Sequence, residues 1–179
     1  QIVVVGGSQG AHGINKAVTG ALRELFEYKG RIRWIHVAGD ADKDEVEQVY
    51  REQGWEARVV NYLDDLPHEL SNSDLVIARA GGTTLAELAV LGVPAILVPY
   101  PHHKDQHQLK NAETLVQAGG AMLIPEEELG ADTLRTIFEE ILFEPERILE
   151  MEDGALSLAR PDAADEVLDL ILELRETCH

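Results

Sequence analysis

The chain has 179 residues, enough for one α/β domain with a substantial core and short for two. Its 15 basic against 33 acidic residues give a formal charge of −18. That balance excludes a general nucleic-acid binder and a strongly basic membrane-surface module, so any phosphate site has to be local. The one cysteine, Cys178, excludes an internal disulfide framework and fits a reducing cytoplasm. No apolar run approaches the roughly 18–20 residues of a membrane span.

The chain opens without Met in strand-like Gln1-Ile2-Val3-Val4-Val5, from which we expect that a further N-terminal portion precedes it in the natural protein. Strand Ile2–Val5 runs into Gly6-Gly7-Ser8-Gln9-Gly10-Ala11, after which Ile14, Val18, Ala21, Leu22 and Leu25 mark one helical face. The pattern then predicts a strand over Ile32–Ala38, a charged helix over Asp42–Gln53 and a strand over Ala57–Val60. The loop Asn61–Pro67 leads to a short helix at Leu66–Leu70, with Asp64 or Asp65 as its cap or, alternatively, as an acid–base pair. Asp74–Ala78 reads as a buried strand, followed by a helix that ends at Gly92. Pro94–Val98 is a nearly continuous apolar strand, as expected of a parallel strand covered on both faces. After the proline-bounded loop Pro99–Lys104, Asp105 is placed to cap a helix running to Gln117. Ala121–Ile124 is the last strand. Helices follow over Ala131–Phe143, around Arg147–Leu158 and over Asp162–Arg175, with Pro145 and Pro161 as breaks. Repeated βα units of this kind predict an α/β fold, a doubly wound, Rossmann-like parallel sheet with ligands beyond the carboxyl ends of its strands. We expect one domain over residues 1–179, with 144–179 as a C-terminal helical segment.

Chemistry concentrates in three loops. In Arg79-Ala80-Gly81-Gly82-Thr83-Thr84-Leu85-Ala86-Glu87, two glycines open a helix whose first N–H groups and dipole suit an anion such as phosphate, and Thr83 and Thr84 add hydroxyls. Glu87 lies one turn further along the same face, placed for a ribose diol. The alternative is a tight strand-to-helix turn with Glu87 in solvent. Gly6-Gly7-Ser8-Gln9-Gly10 departs from the dinucleotide fingerprint despite Asp40 at the end of the second strand, and neither Lys16 nor Thr19 completes a P-loop. Ser8 either donates to a phosphate or caps the turn. His102, His103, Asp105 and His107 lack visible supporting partners for a metal. His107, Gln108 and Asn111 are instead placed to meet sugar hydroxyls, or are surface polarity of a helix. No nucleophile arrangement is visible.

Taken jointly, Gly6–Ala11, Tyr62–Leu66, Arg79–Glu87, His103–Gln108 with Asn111-Ala112, and Ala155–Ala164 resemble the MurG family of peptidoglycan N-acetylglucosaminyltransferases. The resemblance runs in order through essentially the whole chain and corresponds to the C-terminal half of a two-domain GT-B glycosyltransferase. It implies that Ser8, with Gln9 and Gly10 beside it, and Thr84 meet the diphosphate of UDP-N-acetylglucosamine, and that Glu87 holds the ribose. Tyr62, Leu63 and Leu66 would wall the uracil, the Leu63 backbone bonding it. Gly82, His107, Gln108 and Asn111 fall where the family contacts the sugar, His107 standing where glutamine is common. Gly81 and Thr83 are counted with the substrate-binding residues of this turn, and Arg79 meets the ligand or braces the loop. The resemblance further implies inversion at the anomeric carbon, no metal or other cofactor, and no nucleic acid. The catalytic base, the site for a lipid-linked acceptor and the membrane attachment would lie in a missing N-terminal half, with the whole enzyme on the cytoplasmic face of the membrane. The alternatives are another GT-B transferase with a glycolipid acceptor, or a non-catalytic nucleotide-binding or oxidoreductase domain that takes NAD.

Overall fold

A computed structural model describes residues 1–6, 11–101 and 107–177. Each apolar run closes into a strand and each strand is followed by a helix. In chain order these are β1 (Ile2–Val5), α1 (His12–Ala21), β2 (Trp34–Val37), α2 (Lys43–Gln53), β3 (Ala57–Val60), α3 (Leu66–Ser71), β4 (Leu75–Ala78), α4 (Gly82–Leu91), β5 (Ala95–Leu97), α5 (His107–Gln117) and β6 (Ala121–Leu123). The helices α6 (Ala131–Ile137), α7 (Pro145–Leu156) and α8 (Ala163–Thr177) follow. All pairings are parallel and the strand order is β3-β2-β1-β4-β5-β6. The order reverses between β1 and β4, which leaves a crevice at their carboxyl ends, the expected ligand position of such sheets.

The strand period of two sorts the core into two layers. Ile2 and Val4 of β1, Leu75 and Ile77 of β4 and Ile96 of β5 join one cluster with Ile14 and Val18 of α1, Val46 of α2 and Leu134 of α6. Val3, Val5, Val76, Ala78, Ala95 and Leu97 join the other with Leu70 of α3, Leu88 of α4 and Leu115 of α5. The four inner strands are buried throughout, whereas the edge strands β3 and β6 are only partly covered.

Several boundaries differ from the sequence pattern for physical reasons. The β2 ladder spans only the four pairs Trp34 to Val37, so the expected Ile32–Ala38 shortens at both ends. Pro145 opens α7 rather than only breaking the chain, because the first turn of a helix needs no N–H there. The segment expected as one helix over Ala131–Phe143 passes after Ile137 into a π-helical turn, Phe138–Leu142. Asp105, expected to cap α5, lies outside the described residues. Gly120 and Gly154 let α7 lie directly on the turn before β6, since a Cβ on Gly154 would sit 2.5 Å from the Ala118 carbonyl oxygen. In α8 the apolar side chains of Val167, Leu168, Leu170, Ile171, Leu172 and Leu174 are exposed. No helix among the described residues is long and apolar enough to cross a membrane.

Of the two candidate caps of α3, Asp65 takes the role, its carboxylate accepting from the His68 amide at 3.4 Å. That long bond on an exposed helix predicts a modest loss, about 0.5–1 kcal/mol, for Asp65→Ala, read as a lower midpoint in urea unfolding.

Candidate functional site

The loop after β4 is built around Arg79, whose residue is only 9% exposed. Its Nη1 donates to the carbonyls of Val98 at 3.1 Å and Pro99 at 3.2 Å, and its Nη2 pairs with Glu126 beyond β6. The Tyr100 ring lies 5.4 Å from the guanidinium. The Glu126 carboxylate in turn rests against Gly13 of α1, where any side chain would overlap it. One guanidinium therefore ties the carboxyl ends of β4, β5 and β6 together and anchors them to α1. In this structure the Nη1 and Nη2 donors of Arg79 are engaged in bracing the loops.

Glycine is not required at 81 and 82 by the backbone. Gly81 has φ −71° and ψ 144°, and Gly82 is the first residue of α4. A Cβ on Gly82 would meet nothing within 4 Å, and one on Gly81 only the Thr84 hydroxyl at 3.9 Å. The helix has no side-chain cap, and its first internal bond runs from Leu85 N–H to the Gly81 carbonyl at 3.0 Å. The amides of Gly82, Thr83 and Thr84 thus have no hydrogen-bond acceptor among the described residues, an arrangement suited to an anion. Glu87, one turn on, is half-buried and has no hydrogen-bond or ion-pair partner among the described residues.

The other described candidates lie at and just before the start of α3 and on α5, two helices that pack on α4. Tyr62 is 61% exposed, while the side chains of Leu63 and Leu66 pack into the core cluster beneath it. Only the backbone of Leu63 is therefore available, and it makes no hydrogen bond among the described residues. On α5, Asn111 donates to the Ala80 carbonyl at 3.3 Å and Gln108 accepts from the Tyr100 amide at 2.9 Å, so both side chains lock α5 to the loops after β4 and β5. His107 is exposed at the start of the same helix. Ser8, Gln9 and Gly10 lie outside the described residues, as do His102, His103, Lys104 and Gln106. No group of three or more His, Cys, Asp or Glu among the described residues is arranged to hold a metal.

Between β1 and β4 opens a cleft of about 600 Å³ whose walls include His12, Lys16, Arg79, Tyr100, Gln108 and Glu126. Behind its α1 wall runs a buried polar chain that sequence spacing did not reveal. Asn15 donates to the Ala38 carbonyl and to the Asp42 carboxylate, both at 2.9 Å, so its Oδ1 faces His36 Nε2 at 2.9 Å. His36 therefore carries its proton on Nε2, and its Nδ1 accepts from the Tyr50 hydroxyl at 3.1 Å. At the outer end Asp42 meets His12 Nδ1 at 3.0 Å. Burial pushes the His36 pKa down to about 3 and that of Tyr50 up. The hydrogen bond from Asn15, then those from His12, hold the Asp42 carboxyl below its ordinary value. These residues sit on β2, α1 and α2, too far apart in sequence for any local motif to join them.

A family model described as "Glycosyltransferase family 28 C-terminal domain" matches residues 1–167. The chain is 42% identical over 173 residues to the UDP-N-acetylglucosamine–N-acetylmuramyl-(pentapeptide) pyrophosphoryl-undecaprenol N-acetylglucosamine transferase of Myxococcus xanthus, covering 97% of this chain and 45% of that protein. It is 44% identical over 174 residues to the enzyme of the same name from an Anaeromyxobacter strain, with 97% and 45% covered. The crystal structure of Acinetobacter baumannii MurG superimposes with a TM-score of 0.86 at 31% identity, covering 97% of this chain and 49% of that one. The chain thus spans about half the length of the relatives it matches.

Proposed function

Given that the chain belongs to the glycosyltransferase family 28 C-terminal domain family, we propose that it is the nucleotide-sugar-binding half of an N-acetylglucosaminyltransferase that acts on a lipid-linked muramyl-pentapeptide in peptidoglycan synthesis. The relatives carry that activity in their names, and this chain aligns with just under half of each. The whole of residues 1–179 forms the donor domain, with 144–179 as its helical end.

The observation that carries the reading is the uncapped, glycine-opened N-terminus of α4 with the unpartnered Glu87 one turn beyond it. A nucleoside diphosphate satisfies both features at once. Its phosphates take the amides of Gly82, Thr83 and Thr84 and the hydroxyl of Thr84, and Ser8, Gln9 and Gly10, which follow β1 in sequence, are assigned to the same diphosphate. Its ribose hydroxyls donate to Glu87. The uracil then lies toward Tyr62, bonding the unpaired backbone of Leu63, and the sugar lies toward Gly82, His107, Gln108 and Asn111. In the transfer the acceptor 4-hydroxyl oxygen forms the new bond to the anomeric carbon with inversion. The donor's anomeric C–O bond breaks, its electron pair passes to the terminal phosphate, and the hydroxyl proton goes to a base in the other half of the enzyme. Preorganised amides at the departing diphosphate supply electrostatic stabilisation without a metal ion. The acceptor pocket belongs to that other half in this reading, and so does attachment to the inner membrane face, since the strong negative charge of this chain disfavours an anionic lipid surface.

Calorimetric titration of the 179-residue chain with UDP-N-acetylglucosamine, UDP-glucose, UDP and NAD, without metal, tests the assignment. We expect heat from the uridine ligands, the strongest binding from the N-acetyl sugar, and none from NAD. NAD binding with silent uridine ligands would overturn it.

A further inference from the structure

The basic residues of the cleft are not equivalent. The Arg79 charge is taken up by Glu126, with which it is paired in the cleft wall. Lys16 has no partner among the described residues. His12 and Lys16 stand four residues apart on α1, so both project from one helix face with their Cβ atoms about 6 Å apart, and both line the cleft. The His12 ring is fixed from behind. Its Nδ1 meets Asp42, which Asn15 holds, and Asn15 is in turn set by the fully buried His36 and Tyr50. This rooted chain leaves Nε2 as the unengaged corner of an exposed imidazole. The charged neighbours facing the two residues are Asp42 and Glu45 on the α2 side, Arg79 with Glu126 across the cleft, and Glu24 and Glu127 beside Lys16 on its other flank. In a chain of formal charge −18, a cleft with an unpaired lysine beside an oriented imidazole is a local site for negative charge.

We propose that His12 and Lys16 form a basic wall that holds the terminal phosphate of a nucleoside diphosphate, the phosphate to which the transferred sugar is joined. This rests on the donor-binding reading above and adds two residues to it. The amides of α4 serve one end of the diphosphate, and the wall on α1 serves the other across the β1–β4 crevice. Lys16 supplies a flexible point charge and His12 an imidazole fixed in direction, its Nδ1–H held by the Asp42 carboxylate. In its doubly protonated form the ring donates from Nε2 to the phosphate, so the wall discriminates by charge at the terminal phosphate and is indifferent to the base.

The test titrates the 179-residue chain with UDP, ADP, uridine and inorganic pyrophosphate, comparing wild type with Lys16→Met, His12→Gln, the double variant and His12→Arg. Each neutral substitution is expected to weaken UDP about tenfold, the size of a partly exposed charge-assisted hydrogen bond. Uridine should change by less than about twofold, and His12→Arg, which places a permanent cation at that position, should bind UDP at least as tightly as the wild type. Pyrophosphate binding should vanish in the double variant, and the salt dependence of UDP binding should flatten there. Unchanged UDP and pyrophosphate affinity in the double variant would overturn the wall, as would an equal loss for uridine. Binding of ADP that depends on Lys16 and His12 and is as tight as that of UDP would uphold the wall while sinking the uridine-donor reading.

Discussion

Lowering the pH from 6.5 to 4 should remove about 3 kcal/mol from the folding stability of this protein, much of what a domain of this size possesses. The cause is His36, fully buried on β2 with its pKa pushed down to about 3. An unfolded histidine takes up its proton near 6.5, so between those values the unfolded chain holds more protons than the folded one. Stability is complete above 6.5 and falls by about 1.4 kcal/mol for each pH unit below it, reaching about 4–5 kcal/mol at pH 3. Asp42 acts in the same direction at lower pH, because its carboxyl is held below the ordinary value and its bonds to Asn15 and His12 are lost on protonation. Relief of repulsion works the other way as the 33 acidic residues neutralise. The comparison that isolates His36 is therefore with His36→Gln, which retains an amide donor and acceptor but does not titrate. Urea unfolding followed by circular dichroism at pH 7, 5.5 and 4.5 should give a steep fall for the wild type. The variant should be less stable at pH 7 and distinctly flatter. Parallel slopes in the two proteins would show that His36 is not the titrating group.

The contrast between what the residue order foretold and what it did not follows the range of the interactions. Strands β1, β4 and β5 were readable because a parallel strand covered on both faces needs four or five apolar residues in a row, and Val3, Ile77 and Ile96 sit in such runs. The helix stop at Gly92 was readable because this residue adopts a left-handed backbone that favours glycine. The uncapped entry into α4 was legible as a turn, but whether its glycines served the turn or a ligand was not. The backbone angles of Gly81 and the empty space around Gly81 and Gly82 show that the turn itself does not demand glycine. Arg79 was visible as a motif residue, whereas its partner Glu126 lies 47 positions later in a run of three glutamates with nothing to single it out. The chain from Tyr50 through His36 and Asn15 to Asp42 and His12 was invisible for the same reason. Each member is ordinary in its own segment, and only the packing of α1 and α2 on β2 brings them together.

Replacing Glu87 with alanine should weaken UDP binding by about 1.5–3 kcal/mol, some ten- to hundredfold, if its carboxylate accepts the ribose hydroxyls. The half-buried carboxylate has no partner among the described residues, so the substitution breaks no internal bond. Alanine is also the better helix former, and α4 should be no less stable in the variant. That separation makes affinity loss attributable to the ligand rather than to the fold, and thermal unfolding of the unliganded variant checks it. The ligand side supplies the second half of a cycle. The 2′-deoxy analogue of UDP should bind the wild type more weakly than UDP does, and Glu87→Ala should bind the two nucleotides alike, because the group that told them apart has gone. Glu87→Gln keeps one acceptor oxygen without the charge and should fall between wild type and alanine. Pyrophosphate, which has no ribose, should bind Glu87→Ala as it binds the wild type, and its loss in His12 and Lys16 variants should leave uridine untouched. Those opposite patterns divide one nucleotide between two walls of the crevice, ribose on α4 and terminal phosphate on α1. An unchanged UDP affinity in Glu87→Ala would remove the ribose from that helix and with it the orientation of the whole donor.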